Sequence, residues 1–298
     1  MKVVRPSLMS PELLISTNVS EIHTEWSDVI TYEIGDTVLR GDLGIYESVA
    51  AGNLNNIPET SLTSWLRIAP TNKMAMFDEQ ISTSTVGTSD VTVVVQTGSI
   101  DSLALLNVLG STVTLTIRSS EDGPIIYGPV SKSLEGVTLL DWYDYFYFEE
   151  ETRRTSAIFL NLPTGFTSAH ATVQVTGAIV SIGAFIFGRI TTLGKTEYGL
   201  TAGIMDFSTK ETDEYGNTIF TVREFSKRLT IDIQVDNIYL NKVQRTLFSL
   251  RAKPALWIGS DDARYEETTI IYGFYRDFST NIPYPSVSRC SIEIEGLI

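Results

Sequence analysis

Much of this chain is written in short runs with a two-residue period. Asp90 to Gln96 (DVTVVVQ), Ser102 to Val108 (SLALLNV) and Ser111 to Ile117 (STVTLTI) are rich in β-branched and other apolar residues. Gly-Ser, Leu-Gly-Ser and Ser-Ser-Glu-Asp-Gly-Pro turn signals separate and follow them. Ala157 to Leu162, Ala171 to Val175 and Val180 to Arg189 continue the series. Short strands at close spacing, with almost no helical period, predict a mainly β chain with an antiparallel β-sandwich over 71–195. Within that class the jelly roll is the expected form.

From about Tyr198 the texture changes. Asp213 to Asn217 reads as a turn between Gly203–Phe207 and Thr218–Val222. Arg228 to Val235 (RLTIDIQV) alternates strictly and places Leu229, Ile231, Ile233 and Val235 on one face. Next comes the single convincing helical stripe: Tyr239, Leu240, Val243, Leu247 and Leu250, with Asp236-Asn237 as a capping signal and Lys253-Pro254 as a stop. Ala255–Gly259, Thr269–Phe278 and Ser286–Glu295 return to strands. The expectation for 196–298 is an α+β domain, one helix laid on an antiparallel sheet. Residues 1–25 contain two prolines and no sustained period, which predicts an extended N-terminal arm draped on a neighbouring subunit.

Between arm and sandwich, residues 26–70 form a small aromatic module. Trp26, Tyr32, Tyr46 and Trp65 punctuate it, Gly35-Asp36 and Gly41-Asp42 mark turns, and Asn53 to Pro58 is a polar loop. So short a segment cannot bury a large aliphatic core and must lean on aromatic packing. The arrangement resembles the small carbohydrate-binding modules of chitinases: a Trp, a Tyr beside a Gly-Asp turn, an x-Tyr-x-Ser strand, a loop and a final Trp. Two readings stay open: rings stacking on pyranose faces, or rings filling a small core. Leu139 to Arg154 holds a second aromatic strip, with six aromatic residues in the seven positions from Trp142 to Phe148. A strand here would send alternate rings to opposite faces. Trp142, Tyr143, Tyr145 and Tyr147 are therefore candidate subunit-interface residues.

Composition narrows the function classes. At 43% hydrophobic and 19% charged residues the chain is a globular protein, and its net charge of −14 opposes nucleic-acid binding. Cys290 is the lone cysteine, so no intramolecular disulfide forms, which fits assembly in a reducing cytoplasm. The N-terminus shows no signal-peptide pattern, and the longest apolar run, Gly177 to Ile190, is broken by Gly183 and Gly188. Neither cleaved export nor membrane insertion is expected. His23 and His170 lack partners at metal-ligand or catalytic spacing. The acidic pairs, Asp141/Asp144 and Asp261-Asp262 among them, sit in loop contexts without EF-hand spacing. No nucleophile-elbow, phosphate-binding or dinucleotide motif occurs. Enzymatic activity, cofactors and metals are not expected.

Several stretches together resemble a family of tailed-bacteriophage virion proteins, described as tail or carbohydrate-binding-domain proteins. They are Pro70–Asp78, Asp206–Asn217, Arg223–Arg228, Tyr272–Phe278 and Tyr284–Gly296. The likeness runs from about Val4 to the end. It implies a structural component of a virion tail (tail tip, baseplate or adaptor), assembled in the host cytoplasm. Its partners would be other tail proteins and further copies of the chain in a symmetric oligomer. The alternative it carries is a receptor-binding protein that contacts host surface glycan through the N-terminal module or the sandwich loops. The central sandwich resembles the galactose-binding-like class in architecture. For sugar contact the matching positions are Trp26, Tyr32, Tyr46 and Trp65, and no catalytic residue transfers. The interval from Gly41-Asp42 to Trp65 is longer than in the tightest chitin-binding modules.

Overall fold

A computed structural model describes residues 1–41, 44–135, 142, 146, 153–212, 215–260, 262 and 265–297. The fold is mainly β, 52% strand against 9% helix, with a curled antiparallel sheet. Two compact units divide the chain. One gathers Met1–Ser7, Ile100–Leu103 and Ile186–Ile298; the other holds Leu8–Ser99 and Ala104–Phe185.

In the second unit a five-stranded sheet runs in the order Ile125–Ser133, Thr112–Arg118, His170–Thr176, Val91–Gln96 and Leu14–Thr17. Antiparallel register aligns its apolar positions in three rows: Val113–Val175–Val91, Leu115–Val173–Val93 and Ile117–Ala171–Val95. All nine side chains are buried. The intervening positions, Thr114, Thr116, Thr172 and Gln174 among them, face away, because successive side chains on a strand point to opposite sides. The edge strand Ile125–Ser133 escaped the hydrophobic pattern: most of it is exposed and it contains Gly128-Pro129, and proline is tolerated in a sheet chiefly at its edge. Elsewhere in this unit Ser156–Leu160 buries Ala157, Ile158 and Phe159, and Thr85–Gly87 pairs with Val180–Ile182.

The N-terminal residues are the clearest departure from expectation. Residues 1–25 are not a free arm. Lys2–Pro6 is an interior strand, antiparallel to Gly188–Thr192 on one side and to Leu256–Ile258 on the other. Val3 and Val4 are buried there. The motif was too short, and too far in sequence from its partners, to show a period. Leu14–Thr17 likewise pairs with Val91–Gln96. The Glu21 carboxylate accepts the backbone N–H groups of Asn72 and Lys73 at 2.9 and 3.0 Å.

Beyond the strand pair Ala255–Ile258 and Ile270–Asn281, the sheet continues through Val287–Gly296 to Phe225–Asp236. Opposed pairs Leu229–Ile294, Ile231–Ile292 and Ile233–Cys290 build one apolar face. The helix Asn237–Ser249 lays Val243 and Leu247, with Leu250 just beyond its end, into the same core as these residues. Tyr239, placed on the stripe by sequence, is exposed, and Leu240 packs at the margin. Asp236 makes no side-chain capping bond. Asn237 does the local work: its amide donates to the carbonyls of Tyr284 and Pro285, and its side-chain oxygen accepts from Ser288. Backbones crowd at Gly273, where a Cβ would stand 2.0 Å from the Glu295 carbonyl oxygen, so only glycine fits without a shift.

Candidate functional site

Three regions compete for function: the aromatic module, the aromatic strip and the ribbon of residues 201–225. The module consists of the three-stranded sheet Thr37–Arg40, Gly44–Ser48 and Trp65–Ala69, with Thr31–Tyr32 pairing Asn53–Leu54 beside it. Trp65, Tyr32 and Tyr46 are 1%, 6% and 7% exposed and pack with Val38. The Trp65 indole N–H donates to the Asn56 carbonyl at 2.8 Å, and the Tyr32 hydroxyl accepts from the Ser27 N–H at 2.8 Å. Asn53, also buried, donates to Ser48 Oγ and to the Ser64 carbonyl and accepts from Asn56. The loop thus supplies the polar partners that these rings need inside a small core. A pyranose cannot stack on a ring face that is already covered. The sugar-stacking expectation for Tyr32, Tyr46 and Trp65 is therefore corrected: they are the core of the module.

Trp26 differs. It is partly buried against that cluster, with the Arg40 guanidinium carbon 4.9 Å from its ring centroid. Arg40 Nε in turn donates to Glu59 Oε1 at 2.8 Å. Trp26 Nε1 and Glu59 Oε2 are buried and have no hydrogen-bond partner among the described residues. An unmet donor and an unmet acceptor therefore flank one guanidinium, each costing about 1–3 kcal/mol while unsatisfied. Sequence reasoning singled out Trp26 but not Arg40 or Glu59, which lie 19 residues apart and meet only through the fold.

In the strip, Trp142 and Phe146 are exposed and helical, and their rings stack at 6.4 Å with planes inclined by 23°. Residues four apart on a helix lie on one face, so for these two the strand expectation gives way to a helical turn. Tyr143, Tyr145 and Tyr147 lie outside the described residues.

The ribbon was legible only as a turn. Thr201–Asp206 pairs along Phe225–Thr230 of the sheet. Thr209–Thr212 and Thr218–Thr221 then form a separate two-stranded hairpin, register Lys210↔Phe220 and Glu211↔Ile219. Ile219 and Phe220 are 56% and 67% exposed, and Val222 is 86% exposed. Adjacent residues on a strand point to opposite faces. Ile219 and Phe220 are therefore exposed on opposite faces of the hairpin, with the Lys210 ammonium 5.9 Å from the Phe220 ring centroid. Asp206, at its base, accepts from Ser208, which holds its carboxyl below the usual carboxylate range.

Among the described residues neither histidine joins a metal-binding group. His23 Nδ1 lies 3.1 Å from Thr37 Oγ1, and His170 Nδ1 lies 2.8 Å from the Ser168 carbonyl. Among the described residues no group of three or more His, Cys, Asp or Glu side chains gathers at metal-binding distance, and no helix is long and apolar enough to cross a membrane. No family model matches the chain, and no curated protein matches it.

Proposed function

We propose that this chain is a structural subunit of a bacteriophage tail, acting at a tail-tip, baseplate or adaptor position through protein–protein contacts with other virion proteins and with its own copies. The observation that carries this reading is the 201–225 ribbon, with apolar side chains exposed on both faces. A two-stranded ribbon is marginal alone in water, and exposed Ile, Phe and Val on it are liabilities unless a partner covers them. The resemblance of Asp206–Asn217, Tyr272–Phe278 and Tyr284–Gly296 to virion proteins supplies the class of assembly. In the same reading, the buried rows of the five-stranded sheet face the apolar side of the strands around Ser156–Leu160 to make a jelly-roll sandwich. The helix Asn237–Ser249 on its sheet makes the α+β part.

Host-glycan recognition is the second reading, and it narrows to one corner. Among the described residues Trp26 Nε1 and Glu59 Oε2 lack hydrogen-bond partners beside Arg40, and a hydroxyl-rich ligand that displaced the groups covering them would satisfy both, since a sugar hydroxyl both donates and accepts.

Cryo-electron microscopy of the phage particle tests the first reading. The expected result is a symmetric set of copies in the tail with the ribbon buried in protein. A particle that lacks the chain, or carries it with the ribbon in solvent, overturns it.

A further inference from the structure

We infer that the unit of Met1–Ser7, Ile100–Leu103 and Ile186–Ile298 carries a binding site for phosphate-type oxyanions at one end of its sheet. Such a site is independent of the tail role.

Register brings the basic residues together. Arg5 on Lys2–Pro6 lies directly opposite Arg189 on Val180–Thr192, and both are exposed. Directly opposed residues of an antiparallel pair project from one face, here the face of Val3, two residues from Arg5. Val3 belongs to the core that the helix covers, with Val243, Leu247 and Leu250. On its other side Lys2–Pro6 pairs with Ala255–Ile258, Val4 opposite Leu256, so the start of that strand runs beside Arg5. Only Arg251 to Pro254 separate the buried Leu250 from the buried Ala255. Arg251 and Lys253, both exposed, therefore stand at the same end of the sheet as the arginine pair.

Four basic residues from three segments thus gather in a chain with 36 acidic residues against 22 basic ones. Residues 237–254, which lead into the turn, contain no acid. Asp101 reaches the region, but its Oδ1 accepts the Ile190 N–H at 2.6 Å. Elsewhere Arg40, Arg228, Arg276 and Arg289 are ion-paired with glutamates. Arg5, Arg251 and Lys253 form no ion pair among the described residues.

Like charges directly opposed on a sheet are destabilising, and an anion held between Arg5 and Arg189 removes that cost. A guanidinium donates two parallel hydrogen bonds to an oxyanion. One such fork fills both oxygens of a carboxylate, whereas a tetrahedral phosphate has acceptors for two forks. Arg251 and Lys253 add charge beside the pair, so linked phosphates should bind more tightly than a single one.

Calorimetric titration of the full chain tests the site, with sodium tripolyphosphate and inorganic phosphate as probes at fixed ionic strength. The parent should bind tripolyphosphate saturably, one per chain, and more tightly than inorganic phosphate. Arg5→Gln with Arg251→Gln should weaken tripolyphosphate binding at least about tenfold, because two charge-assisted contacts are lost. Lys210→Gln with Arg276→Gln removes the same charge elsewhere and should stay within about twofold of the parent. Arg5→Gln relieves a repulsion and should not lower the melting temperature; if it does, Arg251→Gln with Lys253→Gln makes the same comparison from the turn alone. Equal weakening in the charge-matched variants, tripolyphosphate no tighter than phosphate, or no saturable binding by the parent overturns the inference. None of these results bears on the tail role, which microscopy of the particle tests separately.

Discussion

Tyr32 and Trp65 meet edge to face, ring centroids 5.2 Å apart and planes inclined by 67°. That pairing gives the module a core where aliphatic residues are scarce, and it occupies the ring faces a sugar would need. Trp65→Ala should cost about 3–5 kcal/mol by chemical denaturation, in the range for a truncated buried aromatic. Tyr32→Phe keeps the packing and loses only the bond from Ser27, so about 1 kcal/mol is expected. Glycan binding, if measured, should follow Trp26→Ala and Glu59→Gln and be unmoved by Tyr32→Phe.

Val3 tests the interior position of the N-terminal strand. It lies opposite Thr191 on one neighbour and Trp257 on the other. Val3→Asp places a charge where no partner is available, and should abolish cooperative unfolding of the Met1–Ser7/Ile186–Ile298 unit, read by circular dichroism. Replacement of exposed Leu8 by Asp should leave the melting temperature nearly unchanged. Equal behaviour of the two variants would return the N-terminus to the status of an arm.

The helix face has a similar contrast. Leu247→Asp should unfold its unit, because the side chain is buried among Val243, Leu250 and the sheet. Phe248→Asp, one residue on and exposed, should stay within about 0.5 kcal/mol of the parent as a folded chain. Thermal melts of both variants decide the face assignment.

Cys290 gives a pH dependence with a definite sign. Burial pushes its thiol above the ordinary value, while the Thr280 hydroxyl, 3.5 Å away, acts the other way. The folded state therefore keeps its proton at a pH where the unfolded state has lost it. Stability from this group is complete below the ordinary thiol pKa and falls as the pH rises through and beyond it. Iodoacetamide should label the native protein negligibly at pH 8 and fully in denaturant. The stability difference between parent and Cys290→Ala should narrow above about pH 9. Rapid labelling of native protein would place Cys290 at the surface.

Where local pattern carried the whole cause, sequence reading sufficed. Leu229, Ile231, Ile233 and Val235 alternate because one face of their strand meets a core, and that periodicity is visible without knowing the partner. The stripe of Val243, Leu247 and Leu250 is legible for the same reason. Tyr239 was misplaced because a ring at the edge of a stripe packs or projects according to neighbours that the helix itself does not specify.

The sequence by itself determined a mainly β chain, an amphipathic helix before the closing strands, and the places where aromatic residues concentrate. Side-chain period and turn chemistry are local properties, written within a few residues. Only the tertiary structure decided that Lys2–Pro6 lies inside a sheet and that Trp65 faces inward. The same holds for Arg40 reaching both Trp26 and Glu59, and for the exposure of the ribbon's apolar residues. Each depends on groups brought together across tens to hundreds of residues. Burial is a property of the whole packed chain, and no window of the sequence contains it.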